Sequence, residues 1–328
     1  MNRREILGGG LALSASALAP LSAFAQAKYP ERPIKLIVPF SAGGVVDAVA
    51  RQFSERIKPH LGTIVVENVG GAGGTIGMGE TARSKPDGYT LGLCNTSTMV
   101  INPTIMPKIP YDPAKDFEPI SILAISASGI IVNPSVPAKN LKEFIAYAKA
   151  NQGKISYGSA GAGTMTHLAG ELFKHLIGTP KIVHVPYKGA GPSINDLVGG
   201  AVQYATINVT GQLLQLHETG KVRILAVTSA QRLKGAPKFP TAVEAGLPNM
   251  VATLFTGLLA PAGTPKPIVD QVYQATRTLM KDPAMQKALT DQGLEPIVDS
   301  SPDKMRAFLK EENERWGPVL ATAGLKKK

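Results

Sequence analysis

The sequence predicts an α/β protein: two α/β domains joined by a two-strand hinge, with a central cleft of the periplasmic-binding-protein kind. Three observations predict it. Short apolar runs alternate with amphipathic stretches, and the alternation happens twice, once on each side of a Pro-rich segment at 102–119. Two longer apolar segments, 120–132 and 254–260, stand where the chain crosses between the halves. Four of the runs end in loops rich in Gly, Ser and Thr. A chain of 328 residues is long enough for two cores.

The first 27 residues read as an address. Arg3 and Arg4 give a charged start, 6–24 is apolar and small, and two small-x-small sites end at Ala25 and Ala27. That order is a secretory signal peptide, cleaved after Ala25 or Ala27, and the paired arginines fit a twin-arginine signal loosely. Gly8, Gly9, Gly10 and Pro20 weaken the alternative of a membrane anchor. The expected mature protein is soluble and periplasmic.

Past this segment, 34–38 is a buried-type strand, and apolar residues at 45, 46, 49, 50, 53 and 57 make a helical stripe. A strand at 63–67, a helix at 75–84 and a strand at 89–94 follow. The second half repeats the alternation: helix 141–151, strand 155–158, helix 164–176, strand 182–185, helix 192–198, strand 202–207, helix 213–217 and strand 223–228. After 254–260 the chain is helical in three pieces, broken near Pro283 and at 299–302. Residues 28–125 with 258–328 are expected to form one domain, and 126–257 the other.

Composition removes several function classes. The formal charge is +11, but lysines and arginines are dispersed, and aromatics make up only 5%, too few for a base-stacking platform. No nucleic-acid partner is expected. The single cysteine, Cys94, excludes a disulfide framework and reads as a small buried apolar residue. Five scattered histidines give no metal-ligand spacing, so neither metal nor cofactor is expected.

The chemistry is expected in the loops. The first, 39–44, contains Phe40, Ser41, Ala42, Gly43 and Gly44 and runs into a helix carrying Asp47. The second, 67–75, is mostly glycine. The third holds Asn95 and Ser97. The fourth, 157–164, carries Ser159, Ala160, Gly161, Gly163 and Thr164 and opens a helix containing His167. Glycines let a backbone approach a ligand closely, and a helix N-terminus offers unpaired N–H groups and partial positive charge. Together they accept an anion without a cationic side chain. Such turns also occur for purely structural reasons. None matches the dinucleotide or P-loop pattern, and Ser159 lies outside a G-x-S-x-G elbow, so no catalytic residue is assigned.

These motifs resemble the Bug-type solute receptors, the extracytoplasmic binding proteins of tripartite tricarboxylate transporters. The resemblance rests on 39–51 (PFSAGGVVDAVAR), 67–77 (ENVGGAGGTIG), 86–91 (PDGYTL), 157–164 (YGSAGAGT), 167–173 (HLAGELF), 184–192 (HVPYKGAGP), 225–229 (LAVTS) and 257–265 (GLLAPAGTP). It implies a monomeric, non-enzymatic receptor that captures a small carboxylate or dicarboxylate and delivers it to membrane permease subunits. It singles out as ligand-binding Ser41, Ala42, Gly43, Gly44 and Asp47 on one side, with Phe40 in the same loop. On the other side it singles out Ser159, Ala160, Gly161, Gly163, Thr164 and His167. Asn95 and Ser97 fall where the distal part of a ligand is read. Many members carry an Asp-Asn pair where this chain has Ile207-Asn208; the Asn is retained, and the missing acid points away from amino-group recognition. The alternative reading is an exported hydrolase or other enzyme of small carboxylic acids, using Asp47, His167 or Ser159.

N-terminal sequencing of the exported protein is expected to begin at Gln26 or Lys28. A product that retains Met1 and stays inside the cell would refute the signal.

Overall fold

A computed structural model describes residues 29–322, and the expected export signal at 1–27 lies outside them. The first half contains β1 (Ile34–Val38), α1 (Val45–Arg56), α2 (Lys58–Leu61), β2 (Ile64–Asn68), α3 (Thr75–Arg83), β3 (Thr90–Asn95) and α4 (Asn102–Ile105). The long strand β4 (Phe117–Val132) leads into α5 (Leu141–Asn151), β5 (Ser156–Ser159), α6 (Met165–Ile177), β6 (Val183–Pro186), α7 (Ala190–Gly199), β7 (Tyr204–Asn208), α8 (Gly211–Glu218) and β8 (Arg223–Val227). β9 (Thr253–Pro261), α9 (Lys266–Lys281), α10 (Pro283–Asp291), β10 (Glu295–Pro296) and α11 (Pro302–Thr322) follow.

Strand order is β2-β1-β3-β9-β4-β7-β5-β6, with β8 and β10 also on β4. β1 pairs in parallel with β2 and β3, and β5 in parallel with β6 and β7. In each half the parallel strands therefore point their carboxyl ends, and the loops that follow, the same way. β4 belongs to both halves. Its residues 117–127 pair with β9, and its residues 128–132 pair with β7 and β8. Ile, Val and Leu fill its buried positions on both faces, while Ser126, Ala127, Ser128 and Gly129 occupy the crossing.

The return crossing differs from the sequence expectation. β9 pairs along its length with β3 and with the first-half part of β4. The chain stays tied to the second half up to Ala252, whose N–H donates to the Thr228 carbonyl. The change of sheet therefore falls just before Thr253 rather than at the expected boundary of 257/258. The Pro-rich stretch also has more structure than expected. Asn95 and Thr98 exchange side-chain-to-backbone hydrogen bonds of 3.0 Å, and this closed turn starts a π-helical turn, Ser97–Ile101, that runs into α4. Of the C-terminal helices, α11 lies on β4 and α10 on α1.

Each ligand-side helix has a visible cause. Gly44 takes an extended conformation ahead of α1, whose Val45, Val46, Val49, Ala50 and Phe53 are buried. Thr164 caps α6 through its side chain, and Gly178 ends it in the left-handed conformation. Within α6, Gly170 lies against the buried Tyr157 ring; a Cβ there would sit 2.1 Å from a ring carbon. Gly170→Ala is expected to lower stability by about 1–3 kcal/mol in denaturant unfolding. An unchanged midpoint would mean that α6 does not pack on Tyr157.

Candidate functional site

The loops after β1, β3, β5, β6 and β7 meet around one cavity between the halves. It holds about 330 Å³ of empty space, part of it open to solvent. From the first half come Phe40, Gly44, Val45, Val46, Asn95 and Ser97, with Leu254 of β9. Ala160, Thr164, Thr166, Ala190 and Asn208 come from the second.

Three helices begin at this cavity: α1 at Val45, α6 just after Thr164, and α7 at Ala190. Their first-turn N–H groups have no intrahelical backbone acceptor; in α6 those of Met165 and His167 are taken by Ser97 Oγ and Thr164 Oγ1, which leaves that of Thr166. Among the described residues, no Lys, Arg, His, Asp or Glu side chain lines the space. Asn95 Oδ1 is occupied by the Thr98 N–H, which leaves its amide donors for the cavity. Asn208 donates from Nδ2 to Ser126 Oγ at 3.2 Å, at the crossing of β4. This arrangement can accept an anion on backbone amides and cover an apolar stem with Phe40, Val45, Val46 and Leu254. Among the described residues there is no group of three or more His, Cys, Asp or Glu placed to hold a metal, and no helix is long and apolar enough to cross a membrane.

Seven expected residues line the cavity: Phe40, Gly44, Asn95, Ser97, Ala160, Thr164 and Asn208. The others stand around it. Ser41 donates from its N–H (3.3 Å) and its hydroxyl (3.2 Å) to the Lys188 carbonyl of the other half. Ala42 and Gly43 face Gly191 so closely that a Cβ on Gly191 would lie 2.1 Å from the Ala42 carbonyl oxygen. Ser159 is fully buried beneath the fourth loop. Gly161 and Gly163 shape that loop with φ of +135° and +76°.

Three roles need correction. Asp47 sits behind the first loop. Its Oδ2 accepts from the Gly43 N–H and Arg51 Nε, and its Oδ1 from Asn68 Nδ2, each at 3.0 Å. Both oxygens are spent on holding the loop. The Thr164 hydroxyl is likewise committed, donating to the Gly161 carbonyl at 2.7 Å and accepting the His167 N–H at 3.2 Å. Ser97 Oγ accepts the Met165 N–H at 2.9 Å, so it links the two halves, with its O–H donor left to turn toward a ligand.

His167 lies behind the fourth loop, outside the cavity lining. Its Nδ1 accepts the Gly163 N–H at 3.3 Å, and its ring stacks on His184 at 4.1 Å. Burial pushes both imidazoles down, His184 to about 4 with help from neighbouring His167. Glu171 accepts from Tyr157 and Lys174. Burial raises its pKa, but those bonds outweigh burial and hold it below the usual carboxylate range.

Sequence reasoning missed Val45, Val46, Thr166, Ala190 and Leu254. The first two were readable as the opening residues of α1. Ala190 was readable from the Gly-Ala-Gly-Pro run at 189–192. Thr166, whose hydroxyl accepts the Ala160 N–H at 2.9 Å, and Leu254 gave no sequence signal.

The chain is similar to known proteins. Residues 49–325 match the family described as "Tripartite tricarboxylate transporter family receptor" (TctC). The chain is 35% identical to Protein BugT of Bordetella pertussis (strain Tohama I) over 332 residues, covering 100% of both. Among solved structures it is similar to the periplasmic binding protein BugD, with TM-score 0.87 and 37% identity over 92% of this chain and 100% of that one. It is similar to MatC of Rhodopseudomonas palustris with bound malate (TM-score 0.82, 32% identity, 89% and 100% covered). A second R. palustris protein, solved with adipate, gives TM-score 0.85 and 33% identity over 90% and 98%.

The cap assignment has a direct test. Thr164→Ala is expected to cost about 1 kcal/mol of stability in urea unfolding, and Thr164→Ser to restore most of it. Equal stability of the two variants would remove Thr164 from the cap.

Proposed function

The chain belongs to the tripartite tricarboxylate transporter family of receptors, and from that premise we propose that it captures a small non-amino carboxylate between its halves and delivers it to the membrane permease of such a transporter. It works in the periplasm, as its relatives do, and the 1–27 segment is its export signal. One observation carries the ligand class: three helix N-termini converge on a cavity that no charged side chain lines. Unpaired amides and partial positive charge stabilise a small anion, a carboxylate among them, without a counter-cation. Malate and adipate, bound by the two R. palustris relatives, differ in length and hydroxylation and share the carboxylate. An ammonium group would find no acidic partner here, since Ile207 precedes Asn208 and no Asp or Glu reaches the cavity.

In this reading the Val45 and Val46 amides and, across the cleft, the Thr166 amide in the first turn of α6 hold the carboxylate; the other amides from Ala160 to Met165, Ala162 apart, are taken by protein acceptors. Asn95 and Asn208 take the far end of the ligand, and Phe40 and Leu254 cover its carbons. Asp47 is a support that fixes the first loop. The enzyme reading gains little. Ser159 Oγ and His184 Nε2 share a 2.7 Å hydrogen bond, but Ser159 is fully buried, lies off the cavity, and accepts the Gly161 N–H at 3.1 Å. A nucleophile must face its substrate.

Ligand-induced thermal shift with malate, adipate and a wider carboxylate panel, assayed beside substrate turnover, tests the class. Val45→Pro tests the mechanism. Val45 is the first residue of α1, where proline fits, and Gly44 at φ −92°, ψ 174° already has the conformation that precedes a proline. The variant removes one cavity N–H while α1 stays folded. Calorimetry is expected to show a loss of about 1.5–3 kcal/mol, with Val45→Ala losing less because it keeps the amide. If Val45→Pro binds as well as Val45→Ala, the amides do not hold the charge.

A further inference from the structure

The fourth loop is clamped from behind by two imidazoles. His167, in the first turn of α6, and His184, on β6, stack with ring centroids 4.1 Å apart and planes 18° from parallel. His167 Nδ1 accepts the N–H of Gly163, near the end of the loop. His184 Nε2 bonds the hydroxyl of Ser159, at its start, and that hydroxyl accepts the Gly161 N–H. The pair thus fixes both ends of the turn that presents Ala160 and Thr164 to the cavity, while neither ring lines it.

We propose that His167 and His184 are positioning residues for this loop, and that the loop keeps its ligand-ready shape only while His167 Nδ1 carries no proton. The inference rests on the receptor reading above. Its chemistry is that of the imidazole: the neutral ring has one acceptor nitrogen, and the protonated ring has none. Protonation of His167 removes the partner of the Gly163 N–H. A second proton on His184 would set two cations face to face at 4.1 Å.

The surrounding groups make the device one-directional. Glu171 on α6, the one carboxylate facing the pair, is engaged by Lys174 at 2.9 and 3.0 Å and by the Tyr157 hydroxyl at 2.7 Å. Lys174, on the same helix, opposes any further positive charge. Tyr157 from β5 stacks on His184 at 4.8 Å, and Tyr204 from β7 stacks on Tyr157. Burial pushes the phenols of both tyrosines up, so each stays neutral. The ordered loop therefore holds the imidazoles below their ordinary value of 6.5, His184 at about 4. An opened loop exposes them and lets them take up protons near the ordinary value. The ordered form is fully favoured above that value and loses ground as pH falls from there toward the lowered ones.

The test has a ligand-free arm and a binding arm. In the ligand-free protein, NMR follows the His167 ring and the Gly163 amide together through an acid titration. The two are expected to move with one midpoint. A Gly163 amide that stays put while His167 titrates would overturn the proposal. The binding arm uses malate. His167→Phe keeps a flat ring without an acceptor, and His167→Asn keeps an acceptor that does not titrate. With circular dichroism confirming the fold, His167→Phe is expected to bind malate about tenfold more weakly near pH 7.5. His167→Asn is expected to recover most of that loss. Wild type should weaken about tenfold more than His167→Asn between about pH 7.5 and about pH 5, and the comparison cancels the titration of malate itself. Wild-type affinity in folded His167→Phe would sink the positioning role. The NMR arm needs no ligand, so failure of the whole carboxylate panel to bind would count against the receptor reading alone.

Discussion

The strand β4 is the constraint on which the rest of the molecule depends. A single run of backbone is hydrogen-bonded to β9 up to Ala127 and to β7 and β8 from Ser128 onward. Neither half can move without bending this ladder or the return segment beside it. The bend is confined to a stretch of small residues, Ser126 to Gly129, and register shifts flank it at 119/121, 122/124 and 130/131. The cavity is wired into the same place. Asn208 bonds Ser126 Oγ, Ser126 Oγ donates to the Leu254 carbonyl, and Thr228 Oγ1 bonds the carbonyls of Ser128 and Ala252. A ligand group that competes for Asn208 therefore acts on the crossing itself.

Much of this was legible because it is local. Alternating runs fixed the strands of both halves, and Gly-rich loops before apolar stripes marked the starts of α1 and α6. Six cavity residues could be named from the loops, and Asn208 from the family resemblance. What escaped depends on which side of a loop a side chain takes. Asp47 has the same local sequence whether it faces a ligand or turns back to Gly43 and Asn68; three hydrogen bonds decide for the support role. Thr164 belongs to a motif expected to contact a ligand, yet its hydroxyl is already used as a helix cap. Leu254 and Thr166 enter the cavity only through strand pairing and helix phase, which no short motif encodes. The return crossing was misplaced for a similar reason. An apolar run shows that a strand is buried, whereas its neighbours show to which sheet it belongs.

The electrostatics follow from where the cations are not. Among the described residues, no charged side chain lines the cavity. Arg51 is bound to Asp47, and Lys188 offers its main-chain carbonyl to Ser41 rather than its ammonium to the cavity. A buried lysine would need desolvation and would then hold any anion strongly. Amides at helix starts are already oriented and carry only fractional charge. They favour a carboxylate over water while leaving release within reach, which suits a protein that must surrender its ligand.

That balance extends to closure. In this structure the halves are in contact, and the bonds between them include Ser41 to Lys188, Met165 to Ser97 and Gly211 to Gln292, between neutral groups, and the surface ion pair of Lys234 with Glu295. Each such bond contributes only about 0.5–1.5 kcal/mol net, before the cost of stopping the relative motion of two halves is subtracted. Bonds of this size leave room for a ligand to decide between shut and open forms. Shifting such an equilibrium from 1:99 to 99:1 takes about 5.5 kcal/mol of differential binding. Two or three charge-assisted bonds of about 1.5–3 kcal/mol supply it, provided they come from both halves. The α1 amides lie in one half and the α6 turn in the other, so a single carboxylate gains the full set only when the cleft is shut. Weak protein–protein bonds and strong, divided ligand bonds are thus two parts of one requirement: closure must report the ligand and not occur without it.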